Sequence, residues 1–362
     1  MRAWLLALPA VLALVPASGE AADVPPVQLA LDGAADLSPV YPTVTIPANE
    51  HDFVAIFTCG DQNNHLIKTE FTPIDATGSY RITREARAEV APIATGTRFL
   101  VRQPFLTDLP VGRWSMTASV DGKAVGTVEF KVVAPASPVK LSSPTELMGS
   151  LSEGSEWNYK FRFLAEPRPG LKMTMDGIQD ADAEGWLNTT LQHRIVSLDP
   201  DGARREQRRG NGPAESLWLV PTDRGLAATK SDQGNGPKPF EPAQLMALAP
   251  NEQFHRDWRW LPKGAPPELA LTYKMWGPLP VKTSRGEQPG YVVLQRVPDP
   301  HDLAKVATSV EYHYAPGLGL VHEVIVNPIA GADAAVRIEL DLTTMKRGSG
   351  PEPEIRPYSD SP

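Results

Sequence analysis

Hydrophobic and polar residues alternate with a period of two through much of this chain. Trp157, Tyr159, Phe161 and Phe163 alternate with Asn158, Lys160 and Arg162. Val336, Ile338, Leu340 and Leu342 alternate with Arg337, Glu339 and Asp341. Val310, Tyr312 and Tyr314 share one face against Glu311 and His313. Leu320, His322, Val324 and Val326 share another, although Val321 and Ile325 blur that contrast. A period of two sends successive side chains to opposite faces, so one face is packed and the other wet, as in an antiparallel sheet. Between the two arms around residue 316, Pro316 fixes its own φ and Gly317 accepts the positive φ of a type II turn. The stretch from Val310 to Val326 therefore reads as strand, tight turn, strand.

The same pattern divides the chain in two. Residues 23–134 hold short apolar runs at sandwich spacing: Val27–Leu31, Thr43–Ile46, Phe53–Thr58, Leu66–Phe71, Ser79–Ile82, Arg98–Gln103, Trp114–Ser119 and Lys123–Val133. In the last pair, Trp114, Met116 and Ala118 share one face, and Val128, Phe130 and Val132 share its partner's. All six numbers are even, so paired residues sum to an even number. A three-residue loop, Val120-Asp121-Gly122, satisfies that parity. Residues 135–144 are rich in Pro and Ser and read as an extended linker. Residues 145–347 carry ten strand patterns and one predicted short helix, Glu241–Leu248, bracketed by Pro242 and Pro250. The Pro, Ser, Glu and Gly of residues 348–362 predict a disordered tail. The fold class expected is all-β: a β-sandwich, then a large curved antiparallel sheet or open barrel with one short helix. The concave apolar face of such a sheet must be covered by something.

Two short stretches resemble known families. The Leu109–Trp114 approach, the Asp121-Gly122 hairpin and the Val128–Val133 ending resemble the last strands of bacterial immunoglobulin-like modules. That likeness implies an immunoglobulin-like β-sandwich serving as spacer or binding platform. Tyr312-His313-Tyr314-Ala315-Pro316-Gly317-Leu318-Gly319-Leu320-Val321 resembles a hairpin of uncharacterised exported bacterial proteins, among them relatives of the curved-sheet periplasmic lipoprotein carriers. That likeness implies a concave face that accepts acyl chains.

Composition narrows the setting. Arg2, an apolar run from Ala3 to Val15 and the small residues before Ala22 form a secretory signal peptide, expected over residues 1–21. The run is too short for a membrane-spanning helix, which needs about 20 residues. No cysteine follows it, so no N-terminal lipid anchor is expected, and the mature chain is expected to be soluble and exported to the periplasm or cell exterior. Proline is abundant, 37 of 362 residues, about twice the usual ~5%, which suits short strands and fixed turns. Cys59 is the only cysteine, which rules out an intrachain disulfide framework and a cysteine-based metal cluster. It reads as a small buried residue at a strand end. The formal charge of −8 disfavours nucleic acid and anionic membrane as bulk partners.

Several residue groups could carry chemistry, each with a plainer reading. Asp180, Asp182 and Glu184, followed by Gly185, match the first half of a calcium loop, but Leu191 stands where the bidentate Glu belongs. A solvated acidic turn is the preferred reading, and no other cofactor is expected. His322-Glu323 begins like a zinc-protease motif, yet Val326 replaces the second His, and the stretch is a strand. His322 instead reads as a hydrogen-bonded core histidine. Tyr312 and His313 fall on opposite faces and form no joint site. Arg204, Arg205, Arg208 and Arg209 follow the Asp199–Gly202 turn. They could meet a phosphate or carboxylate, or line a solvated hairpin arm. Trp258 and Trp260 share a strand face and could contact sugar rings or acyl chains, or pack in the core. No nucleophile elbow, phosphate-cradling loop or dinucleotide fingerprint is present.

Three functions remain open. The first is an exported non-enzymatic binding protein holding an apolar or amphipathic ligand, such as a lipid or lipoprotein. The second is a structural or protein-interaction component of the cell envelope. The third is a hydrolase with an unrecognised site. A deep apolar cavity favours the first, a flat exposed apolar patch the second, and a cleft with two carboxylates or a perturbed His the third.

Overall fold

The computed structural model describes residues 27–59, 65–76, 82–86, 88–93, 96–137, 144–164, 182, 185–249, 257–303, 305–328 and 335–358. The expected signal peptide, Asp180, Glu184, the side chain of Cys59 and most of the expected linker lie outside them.

Ten strands form two packed sheets. They are β1 (Val27–Gly33), β2 (Pro39–Pro42), β3 (Thr45–Pro47), β4 (Asp52–Cys59), β5 (Ile67–Pro73), β6 (Ile82–Ala86), β7 (Glu89–Ile93), β8 (Gly96–Pro104), β9 (Gly112–Val120) and β10 (Lys123–Val133). One sheet runs β2-β1-β4-β8-β7 and the other β3-β10-β9-β5-β6. Their inner faces share a core in which Phe53, Phe71, Phe99, Trp114, Met116 and Phe130 are buried. The even parity holds through most of the last hairpin, as in Trp114↔Phe130 and Met116↔Val128. The expected three-residue loop does not. Lys123 pairs with Val120 across a two-residue Asp121-Gly122 turn, both with positive φ, and a bulge between Ala124 and Gly126 restores the parity. A bulge adds one unpaired residue to one strand, so turn and bulge together do what the longer loop would have done.

Twelve strands follow: β11 (Glu156–Leu164), β12 (Trp186–Asp199), β13 (Gly202–Arg209), β14 (Ala214–Thr222), β15 (Gly225–Asp232), β16 (Lys238–Leu248), β17 (Asp257–Trp260), β18 (Leu271–Thr283), β19 (Gly286–Pro298), β20 (Val306–Ala315), β21 (Gly319–Pro328) and β22 (Ala335–Lys346). They make one antiparallel sheet in the order β16-β15-β14-β13-β12-β11-β22-β21-β20-β19-β18-β17. It curls into a nearly closed barrel. Between the two edge strands, side chains take the place of a backbone ladder. The indoles of Trp258 and Trp260 donate to the carbonyls of Leu245 and Pro242, each at 2.9 Å. Gln244 donates to the Tyr273 hydroxyl at 2.5 Å.

Two expectations are corrected. Glu241–Leu248 is not a helix but most of edge strand β16. Prolines are tolerated on an edge, and here Phe240–Ala243 bulge out between the Lys230↔Pro239 and Ala228↔Gln244 pairs. Gln244, Leu245, Ala247 and Leu248 are all buried, so the alternation that marks a strand is missing. Nor is the segment after Lys346 disordered up to Tyr358. Glu352 accepts hydrogen bonds from Ser150, Leu151 and Ser152 at 2.5–2.9 Å. Arg356 pairs with Pro221 and Asp223, and the Tyr358 hydroxyl donates to Ala243 at 2.9 Å. Polar composition favoured disorder, but these side chains find fixed partners at the barrel end.

That end is stoppered. A 3-10 helix, Pro144–Met148, places Leu147 and Met148 in the barrel core, and Leu151 follows. The β20–β21 turn docks on it. Leu318 N–H donates to Ala315 at 3.0 Å, closing the expected turn around Pro316-Gly317, and Gly317 N–H donates to Glu146 at 2.7 Å. Gly319 has φ +85°, and a Cβ there would stand 2.4 Å from the Met148 carbonyl. Gly319→Ala is therefore expected to cost about 2–3 kcal/mol through backbone strain and the clash, read as a lower midpoint in urea unfolding. An unchanged midpoint would mean that the turn does not bear on the stopper.

The sandwich docks on the outside of β18–β20. Asp32, 1% exposed, meets Arg296 of the barrel at 2.6 Å and Arg102 of the sandwich at 3.1 Å. Burial alone would raise its carboxyl, but Arg296 and then Arg102 outweigh that and hold it below the usual carboxylate range. Ala35 N–H donates to Ser309 at 2.8 Å, and Tyr41 N–H to Glu311 at 3.0 Å. The Tyr41 hydroxyl reaches the Pro280 carbonyl at 2.6 Å. Burial, with Glu287 and Glu311 nearby, pushes that phenol up to about 12.

Candidate functional site in the barrel lumen

Strand pairing sorts the barrel residues into two faces. Trp157, Tyr159, Phe161 and Phe163 of β11 pair with His193, Leu191, Thr189 and Leu187 of β12, and with Met345, Leu342, Leu340 and Ile338 of β22. These side chains line the lumen. The outer face of the same strands carries Lys160, Arg162, Glu339 and Asp341. A barrel that meets lipid presents an apolar outer band, and charge there is costly. This barrel is built the other way, with apolar residues within.

Polar groups stand within that apolar lining. Glu323 of β21 faces inward between Tyr312 of β20 and Leu340 of β22. Tyr314 stands further along β20, and its ring stacks on that of Tyr312 at 6.1 Å. The Tyr312 hydroxyl donates to Gln295 of β19 at 2.9 Å, and Gln295 pairs with Tyr273 of β18. Tyr159 donates to the Leu320 carbonyl at 3.1 Å, and its ring lies 4.9 Å from His193. Arg205 of β13 comes in from the far side and acts electrostatically on Glu323, His193, Tyr159, Tyr312 and Tyr314. Five strands thus converge on one cluster.

The electrostatics follow from depth. Burial pushes the Glu323 carboxyl up to about 7, although Arg205 and His322 pull it down. Burial, reinforced by Arg205, holds His193 well below the ordinary imidazole value, so it is neutral. Burial likewise raises Tyr159, Tyr273, Tyr312 and Tyr314. Yet Glu323, Tyr312 and Arg205 keep accessible surface, as do Ile325, Val336, Leu187 and Val297 beyond them. Towards the stopper, Trp157, Ile195, Ala203, Leu219, Leu226 and Tyr314 are buried. The lumen is therefore packed at the stopper end, and accessible surface appears from its middle to the other end.

The four arginines read from the sequence do not form one row. Their strand sends Arg205 and Arg209 into the lumen and Arg204 and Arg208 outward. Arg204 pairs with Glu206 at 2.5 Å, and Arg209 lies over the Phe161 ring at 4.9 Å. Trp258 and Trp260 are the seam residues described above, and Trp258 also stacks on Tyr273 at 4.9 Å. Asp182 takes the Trp186 N–H at 2.8 Å and the Asn188 amide at 3.1 Å, fixing the start of β12. Among the described residues no three His, Cys, Asp or Glu side chains are placed to hold a metal ion. Tyr312 and His313 do face opposite ways. His322 is hydrogen-bonded to Asp341 at 2.8 Å, but on the outer face. Burial lowers that imidazole, and the Asp341 bond and charge more than offset it, leaving it raised. His193 was not singled out from the sequence, and Glu323 was named only in the rejected zinc-protease pattern. A further signal for Glu323 was the blurred contrast at Val321 and Ile325, which flank it on the inner face.

No family model matches the sequence, and no curated protein matches it. Among solved structures, one described as a "putative lipoprotein" from Parabacteroides distasonis is 12% identical, with a TM-score of 0.24, over 55% of this chain and 98% of that one. A DUF4784 family protein from Bacteroides caccae is 10% identical, with a TM-score of 0.17, over 92% of this chain and 84% of that one. At these values neither likeness bears on fold or function.

Proposed function

We propose that the protein is an exported, non-enzymatic carrier that holds a lipid-like amphiphile in its barrel lumen. One observation carries this: the inner face is apolar, and accessible surface persists at Glu323, Tyr312 and Arg205 within the barrel. Ligand sites are concave, mostly apolar and marked by a few convergent polar groups. The sandwich serves as a platform, consistent with the immunoglobulin-like reading of its last strands. The expected signal peptide supports export.

The test is the neutral dye Nile red. The carrier should bind it saturably, at about one dye per chain, and a long-chain amphiphile should displace it. Ile325 pairs with Val310 and Ile338 on the lumen wall. Ile325→Trp adds bulk there and should weaken dye binding about tenfold or more. A folded Ile325→Trp protein that binds dye as before would sink the proposal.

One observation favours a hydrolase instead, namely a carboxyl titrating near neutrality in a lumen that also holds a neutral histidine. Paired-carboxylate hydrolysis needs a second acid nearby, and Glu215, also on the inner face, is held by Gln207 at 2.6 Å. Turnover of a p-nitrophenyl acyl ester that disappears in Glu323→Gln would favour the enzyme.

A further inference from the structure

The lumen holds hydrogen-bond donors that its own acceptors leave unused. Arg205 makes no hydrogen bond or ion pair among the described residues, and its Nε is shielded without a partner. His193 is 4% exposed, and its Nε2 is likewise buried and unpartnered. The Tyr314 hydroxyl makes no hydrogen bond among the described residues either. Arg209, on the same face of β13, has an orphaned Nε as well. Against these stand two inward acids. Glu215 is engaged by Gln207, and Glu323 lies across the lumen without an ion pair to Arg205. Buried polar groups are normally satisfied, and a partly buried guanidinium without an ion pair suits a counter-ion. The missing partner is an oxyanion.

We propose that the lumen site takes the anionic head of an acyl amphiphile, a carboxylate or a phosphate, with Arg205 as its counter-ion and His193 and Tyr314 as further donors. This rests on the carrier function proposed above and narrows its ligand. Arg fits such heads because its planar fork donates two parallel bonds to one oxyanion. The acyl chain then runs along Ile325, Val336, Leu187 and Val297 towards the open end. A cationic head would meet Arg205 and is disfavoured.

Glu323 makes the binding pH-dependent. The charged groups that act on it are Arg205 from β13 and His322 beside it on the opposite face; burial and, in turn, its own charge raise the phenols of Tyr159, Tyr312 and Tyr314. A second anion in this cluster favours its protonated form, so the guest should bind with uptake of a proton. Affinity should rise as pH falls from 8 to 6, and Glu323→Gln should flatten that dependence.

The experiment compares four twelve-carbon probes on the delipidated mature protein by displacement of Nile red: dodecanoic acid, dodecyl phosphate, dodecanol and dodecyltrimethylammonium. The acid or the phosphate should bind about tenfold or more tighter than the alcohol, since a hydrogen bond to a charged group is worth roughly that factor. The tighter of the two names the head group. Arg205→Met should bring both anions down to the alcohol's affinity while leaving the alcohol unchanged. Arg205→Lys should keep part of the preference. If the alcohol matches the anions in the wild type, or Arg205→Met leaves the anions unchanged, the inference is overturned while the carrier function stands. If none of the four binds, the carrier function fails and takes the inference with it. Should Arg205→Met not fold, the wild-type ranking of anion, alcohol and cation decides alone.

Discussion

Asp32→Ala should destabilise the protein by about 3 kcal/mol near pH 7, because it leaves Arg296 and Arg102 facing each other without their shared counter-ion. Asp32 is 1% exposed, while its partners keep partial access to solvent, at 23% and 36%. That access places the cost at the low end of the range for a broken buried pair. Asp32→Asn keeps the shape, and one acceptor for Gly33 N–H, and should lose less. The pH dependence checks the cause. The folded carboxyl lies below its ordinary value of 3.8, so its contribution is present above that value and lost as pH falls through the lower folded one. The gap between wild type and Asp32→Ala in urea unfolding should be full at pH 7 and should close below about pH 4. An equal gap at pH 3 and pH 7 would show that the loss is one of packing rather than charge.

The second large effect has the opposite sign. Glu323→Gln should stabilise the empty protein at pH 8 by up to about 3 kcal/mol. Burial raises the folded carboxyl from 4.5 to about 7, so ionised Glu323 opposes folding. Stability linked to this group is fully present below about pH 4.5, falls as pH rises through about 7, and stays low beyond. The wild type should therefore lose stability across that interval, and the glutamine variant should not. Urea midpoints measured from pH 4.5 to pH 8 give the comparison. Parallel curves for the two proteins would mean that Glu323 is ionised at no cost in the lumen, and the polar cluster would need another account.

Much of the barrel was legible because one rule generates it. The alternation in β11 and β22 named the lumen face residue by residue, and Pro316-Gly317 named the turn that joins β20 to β21. Two strands escaped for definite reasons. β13 offers Ala203, Arg205, Gln207 and Arg209 to the lumen, so only a single alanine is apolar on its inner face. It is a strand because β12 and β14 hold it on both sides, not because of its own pattern. β16 is covered on both faces, and its prolines imitate a helix start.

The site itself was hidden for a related reason. In β21 the outer face carries the buried Val324 and Val326, and the inner face turns into the lumen. Ser309 and Glu311, the cross-strand neighbours of Val326 and Val324, bond to Ala35 and Tyr41 of the sandwich. Val324 and Val326 thus look like a core face, and the face of Glu323 looks like its wet reverse. Sequence spacing could pair Glu323 only with its neighbour His322, on the opposite side of the sheet. The distant partner that shapes its chemistry, Arg205, lies more than a hundred residues away along the chain. The same limit applies to Arg205. Its four-arginine run is visible in the sequence, but which two point inward depends on the register of β13 against β12, where a bulge between Ile195 and Ser197 resets the pairing.

The central claim is that the lumen is a ligand site, and native mass spectrometry of the mature protein, purified without detergent from its own envelope, tests it most directly. A discrete added mass that leaves with a solvent extract, and is absent from Ile325→Trp prepared alongside, is the expected result. A bare mass in the wild type, with no amphiphile in the extract and no uptake when acyl amphiphiles are added back, would contradict it.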